Sequence, residues 1–132
     1  MKIPEGVVNL MRDRNIAFIA TIGRDGYPHV TPVWIDVDDD CHILVNTATS
    51  RVKYMNLKRD PRVTISLVDR NDPYNAAMIK GRVVDEVKGR EAEEHIDRMA
   101  KKYLGLDRFP FRAEGEERVL LKIVAEKVIS VP

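Results

Sequence analysis

Ala17-Phe18-Ile19-Ala20-Thr21-Ile22-Gly23-Arg24-Asp25-Gly26-Tyr27-Pro28-His29-Val30-Thr31-Pro32-Val33-Trp34 is the stretch on which the fold turns. Its first six residues form an apolar, strand-like run. Asp25-Gly26 then reads as a hairpin turn, because both residue types tolerate positive φ. From His29 to Val37 the chain alternates in part, Val30, Pro32 and Trp34 against Thr31, Val33 and Ile35, and reads as the return strand. Pro32 removes a ladder donor inside that strand. It points to a sheet edge, a bulge, or a place where a ligand replaces a neighbouring strand.

Working outward, Pro4 opens a short helix over Glu5 to Arg14, with Val7, Val8, Leu10 and Met11 on one face. Asp38-Asp39-Asp40 is a turn, and Cys41 to Asn46 a third strand. Thr47-Ala48-Thr49-Ser50 can cap a helix over Arg51 to Lys58, which Pro61 ends. Arg62 to Val68 is a fourth strand, Asn71-Asp72-Pro73 a loop, and Ala77 to Val87 a fifth strand with Gly81 marking a bulge. Gly89 to Tyr103 is a helix whose inner face carries Ala92, Ile96, Met99, Ala100 and Tyr103. Gly105 to Glu117 is an irregular loop bearing Phe109-Pro110-Phe111, and Arg118 to Val131 a closing strand. Six strands, mostly antiparallel, with two or three helices predict a mainly β fold, a barrel with added helices, or α+β.

The 132 residues are one domain's worth of chain, spanning 1–132. Lys and Arg number 22 against 21 Asp and Glu, a net charge of +1, and 44% of residues are hydrophobic. That balance excludes a disordered chain and a polybasic nucleic-acid arm. No apolar run approaches the ~20 residues of a membrane span. With no signal-peptide pattern and a single cysteine, the expected location is the cytoplasm.

The chemistry concentrates where the third strand runs into the second helix. A helix N-terminus offers free N–H groups and a positive dipole end. Thr47, Thr49 and Ser50 add hydroxyls there, and Arg51 and Lys53 add charge. This reads either as a phosphate pocket or as a capped helix with a solvated basic face. Beside it, Thr31-Pro32-Val33-Trp34 can present backbone to a planar ring, although composition alone favours Trp34 as a core residue. His29, His42 and His95 lack metal-ligand spacing, and no metal site is expected. The aspartates 38–40 read as a solvated turn. P-loop, G-x-S-x-G and G-x-G-x-x-G motifs do not occur.

In order and spacing, Ala20-Thr21-Ile22 with Asp25 to Trp34, then Ser50-Arg51-Val52-Lys53 with Asn56 to Arg62, resemble the pyridoxamine 5′-phosphate oxidase-like, flavin-binding split-barrel family. Asp72-Pro73-Tyr74, Ile79-Lys80-Gly81-Arg82 and His95 to Gly105 resemble its deazaflavin (coenzyme F-420)-dependent subgroup. The resemblance implies a six-stranded antiparallel split barrel, homodimeric, with a cofactor groove between subunits. It implies that Arg51 and Lys53 hold a cofactor phosphate with help from Thr47 and Ser50. Thr31, Pro32, Val33 and Trp34 would line the ring, Asn56 would neighbour it, and Tyr74 would reach it from the second subunit. The implied activity is hydride transfer from reduced coenzyme F-420, favoured over FMN, to a small organic substrate. The chain stops soon after the sixth strand, which argues against pyridoxamine phosphate oxidation itself. A non-catalytic FMN or F-420 carrier is the competing reading. Nucleic-acid binding through Lys53 to Arg62 and haem binding rank below both.

Overall fold

The computed structural model describes residues 2–131. Helix α1 (Glu5–Arg12) leads into β1 (Ala17–Ile22), β2 (Pro28–Val33), β3 (Asp36–Val37) and β4 (Ile43–Ala48). Then come α2 (Val52–Arg59), β5 (Arg62–Asp69), β6 (Asp72–Lys88), α3 (Arg90–Leu104) and β7 (Arg118–Val131). The strands form one antiparallel sheet in the order β2-β1-β5-β6-β7-β4-β3, curled as a half-barrel.

Alternation sets which face of the curl is inward. Inward residues Ile19, Ile65, Ile79 and Ile123 are fully buried, whereas their neighbours on the outer face are not. Strand β4 is buried on both faces: Ile43 and Val45 enter the main core, and Leu44 packs with Ala92 and Leu120 beneath α3. No helix of the described residues is long and apolar enough to cross a membrane.

The Asp25-Gly26 turn forms as expected. Gly26 sits at φ 86°, and the Asp25 carboxylate accepts the Tyr27 N–H at 3.0 Å. Pro32 lies on β2, an edge of the sheet, where its missing donor costs no ladder bond within the chain. Gly81 sits at a register shift between β6 and β7.

Four boundaries differ from the sequence reading, each for an identifiable reason. The return strand expected to reach Val37 breaks at Trp34, which makes seven strands of the expected six. Helix α3 takes the backbone of Ile35: its N–H donates to the Tyr103 hydroxyl at 3.1 Å, and its carbonyl accepts from Lys102 Nζ at 2.7 Å. Cys41 and His42 lie in a turn and not in β4. The Asp38 carboxylate accepts the N–H groups of Asp40 and His42, and Cys41 takes φ 63°. Strand β6 begins at Asp72, within the expected loop, because a tight turn at Arg70-Asn71 brings Asp72 opposite Asp69. Helix α1 ends at Arg12, where the Asp13 carboxylate accepts the Arg14 N–H at 2.7 Å and Asp13 itself is extended.

Candidate functional site

The first turn of α2 is built differently from a capped helix. Arg51 is its N-cap, in extended conformation, and no side chain of the Thr47–Ser50 run caps it. Arg51 and Lys53 project from this turn into a cleft of about 410 Å³. A third cation arrives from the far strand: Arg118, at the start of β7, stands opposite Ala48 in register and lines the same cleft. Its Nε donates to Asn46 Oδ1 at 3.0 Å, its guanidinium pairs with Glu116 at 3.4 Å, and it lies 5.0 Å from the Phe109 ring centroid.

Three cations share this opening with one carboxylate partner, Glu116. Burial holds the Lys53 ammonium below its usual range, and Arg51 and Arg118 push the same way. Burial likewise lowers Arg118, with Glu116 opposing and Arg51 adding to the fall. Such a cluster is electrostatically unfavourable by itself and suits an anion.

Aromatic rings line the same cleft. Trp34 stacks on Tyr103 at 5.3 Å between centroids and meets Phe109 edge-on at 5.8 Å. Phe109 is held by its own N–H, which donates to Asp97 at 2.8 Å. Arg112 clamps the same loop to α3 through Glu93 and Asp97, both at 2.9 Å. Ile96 and Met99 of α3 complete an apolar floor. The cleft thus combines three cations with flat aromatic and apolar side chains, Arg118 and Phe109 joining the two sets, and Pro32 and Val33 of β2 also line it.

Tyr103 backs Trp34. Its hydroxyl donates to the Asn15 carbonyl at 2.7 Å and accepts the Ile35 N–H. Burial, the largest influence, pushes the phenol up to about 12. Tyr103→Phe keeps the ring on Trp34 but strands the Ile35 N–H, so it should cost about 1–3 kcal/mol in a urea melt at pH 7. The folded state retains a proton that the unfolded chain releases from about pH 10. The penalty is therefore full below pH 10 and shrinks as pH rises towards 12. A penalty independent of pH across that window would contradict the assignment.

Of the residues singled out from sequence, Pro32, Val33, Trp34, Thr47, Arg51 and Lys53 are brought together around this cleft. Thr31 lies one residue along β2, and its hydroxyl is buried without a partner. Ser50 is exposed and outside the lining. Asn56 is buried under α2, where it donates to Thr21 Oγ1 at 3.0 Å and accepts from Arg59. It borders a second, larger cleft of about 850 Å³, between the β1–β2 turn and α2, which also holds Arg24, Tyr27, His29 and Met55. Tyr74 is 78% exposed and lines neither cleft. Sequence reasoning missed Arg118, Asn46 and the place of Phe109. A cation directly before the apolar run Val119-Leu120-Leu121 was the one available signal. Asp38, Asp40 and His42 bring ligand atoms within 4.8 Å of one another, but the Asp38 oxygens are already engaged by the turn's N–H groups and the His42 ring.

An antiparallel half-barrel with three helices and this cleft is the split-barrel fold. A family model described as pyridoxamine 5′-phosphate oxidase matches residues 3–132, and the chain belongs to that family. A solved structure described as an F-420 reductase superposes with a TM-score of 0.83 at 25% identity, covering 96% of this chain and 98% of that one. A conserved hypothetical protein from Mycobacterium tuberculosis gives 0.72 at 25% identity, over 99% and 85% of the two chains. A putative pyridoxamine 5′-phosphate oxidase from Listeria innocua gives 0.71 at 16% identity, over 96% and 95%, which speaks to fold alone.

Proposed function

We propose that this protein is an oxidoreductase that binds a phosphate-bearing flavin or deazaflavin, coenzyme F-420 ahead of FMN, and reduces a small organic substrate. The carrying observation is the convergence of Arg51, Lys53 and Arg118 on a cleft that Trp34, Phe109 and Phe111 also line. Arg51, Lys53 and the uncapped first turn of α2 would hold the phosphate, and Thr47 adds a hydroxyl. Pro32, Val33 and Trp34 would flank the ring. The cofactor supplies the hydride; the chain supplies binding and orientation. The F-420 reductase noted above supports the deazaflavin over FMN.

The working form would be a homodimer. The outer sheet face carries an uncovered row across five strands, Pro32–Phe18–Ser66–Met78–Ile129, read from the strand registers. Phe18 is 47% exposed there and Ile129 42%. An apolar row of this kind is the usual mark of an interface. Tyr74 lies on the same strand parity as Met78, suited to reach a partner's cleft.

Titration of the chain with FMN and with F-420, followed by fluorescence and by sedimentation, is expected to show one cofactor per protomer in a two-chain particle. Failure of both cofactors to bind below about 100 μM, roughly −5.5 kcal/mol, would sink the proposal. A carrier is the second reading, favoured by one observation: among the described residues lining the cleft there is no carboxylate and no imidazole. Turnover of reduced cofactor with enones and quinones no faster than the free cofactor would select the carrier.

A further inference from the structure

Behind the cations of the cleft lies a largely buried polar chain of which the proposed binding role uses only Arg118. It runs from Arg118 through Asn46 to His95 and on to Asp36. His95 is wholly buried in α3 and does not itself line the cleft, but its partner Asn46 does.

Its hydrogen bonds permit one assignment. Asn46 Oδ1 faces Arg118 Nε, which only donates, at 3.0 Å. Asn46 Nδ2 faces the Ala92 carbonyl, which only accepts, at 2.8 Å. These two partners orient the amide without reference to the histidine. The second Nδ2 hydrogen is then directed at His95 Nδ1, 3.2 Å away, so Nδ1 must accept. The imidazole is therefore neutral with its proton on Nε2. That atom has no hydrogen-bond partner and faces Asp36 Oδ2 at 3.6 Å, an electrostatic contact longer than a hydrogen bond. Burial raises the Asp36 carboxyl, but His95, the Val37 N–H and Lys102 outweigh it and keep the group anionic. An anion beside Nε2–H favours the tautomer that Asn46 requires.

We propose that His95 is a positioning residue for the cleft: by accepting from Asn46 at Nδ1 it locks the amide whose oxygen aims the Arg118 guanidinium at the bound anion. With Nδ1 protonated, its N–H would meet the Asn46 Nδ2–H donor against donor, and the amide could escape only by turning its nitrogen towards Arg118 and its oxygen towards the Ala92 carbonyl; with the ring absent, the amide keeps those two partners but loses its third constraint and loosens its hold on Arg118. The role rests on the reading of the cleft as a cofactor-phosphate site, but the relay itself is a property of the unliganded chain.

The test separates the two. In the full-length, 15N-labelled chain, histidine ring correlations are expected to show His95 protonated at Nε2 and bare at Nδ1. The Arg118 Nε–H should exchange slowly with solvent, about tenfold or more faster in His95→Leu, and slowly again in His95→Asn, whose Oδ1 can stand where Nδ1 stood. FMN affinity should fall about tenfold in His95→Leu and recover in His95→Asn. A histidine that merely fills space would not distinguish the two variants in this way. A proton on Nδ1 of the wild type overturns the proposal, and that measurement needs no variant to fold. Arg118 exchange unchanged in a folded His95→Leu overturns it equally. If the wild type binds neither FMN nor F-420, the cofactor reading fails and the exchange data still decide the relay.

Discussion

Lys53→Met is expected to weaken FMN and F-420 binding by about 1.5–3 kcal/mol, roughly ten- to a hundredfold or slightly more, while raising the melting temperature of the unliganded protein. The opposite signs follow from one arrangement. Lys53 is held near Arg51 and Arg118 and is partly desolvated, and no acidic group offsets either cost. Methionine keeps the stem's packing and removes the repulsion. An anionic cofactor reverses the balance, because then the ammonium gains a charge-assisted bond. Arg118→Met should lose similar affinity but destabilise the unliganded protein by about 3 kcal/mol. Its removal leaves Glu116 without its ion pair, Asn46 Oδ1 without a donor, and Phe109 without its cation. Thermal melts of both variants with and without FMN check the pair. Equal stability changes, or unchanged affinity in both, would remove the phosphate assignment.

Gly81→Val is expected to cost about 3 kcal/mol, among the largest losses available from one residue outside the core proper. Gly81 is buried in β6, between Val63 of β5 and Ala125 of β7, at the point where the β6–β7 register shifts. A Cβ there would run into the Val124 carbonyl oxygen and lie 3.1 Å from Ile123 Cγ2. The first obstacle is backbone, which cannot rotate away, so the bulge itself must open. For a domain with about 5–15 kcal/mol in total, this is a large share. A urea midpoint within error of the wild type would show that the bulge tolerates a side chain.

The same glycine shows how far local sequence carries. A glycine inside a run of strand formers signals a bulge because no other residue permits so close an approach, and no knowledge of the partner strand is needed. Asp25-Gly26 and Pro32 are legible for the same reason: positive φ and a missing N–H are properties of the residue itself. Arg51 and Lys53 were legible as a pair because two cations at a strand-to-helix junction share one turn. The split of the second strand was not legible. It depends on Tyr103 and Lys102 claiming the backbone of Ile35 from nearly seventy residues away, and nothing near Trp34 announces that competition.

Residue chemistry and short-range spacing determined by themselves that this chain folds as an antiparallel, hairpin-connected sheet with helices, and that a basic junction adjoins a proline-interrupted strand. Those features follow from dihedral preference and alternation, which act over a few residues. Only the tertiary structure decided that Arg118 completes the cationic cluster, that Trp34 leans on Tyr103 and Phe109, and that His95 reaches Arg118 through Asn46. Each of these joins elements forty or more residues apart, and the pairing is set by sheet curvature and by the register of β4 against β7. Sequence periodicity shows which face of an element is inward; it carries no information on which inward residue meets which.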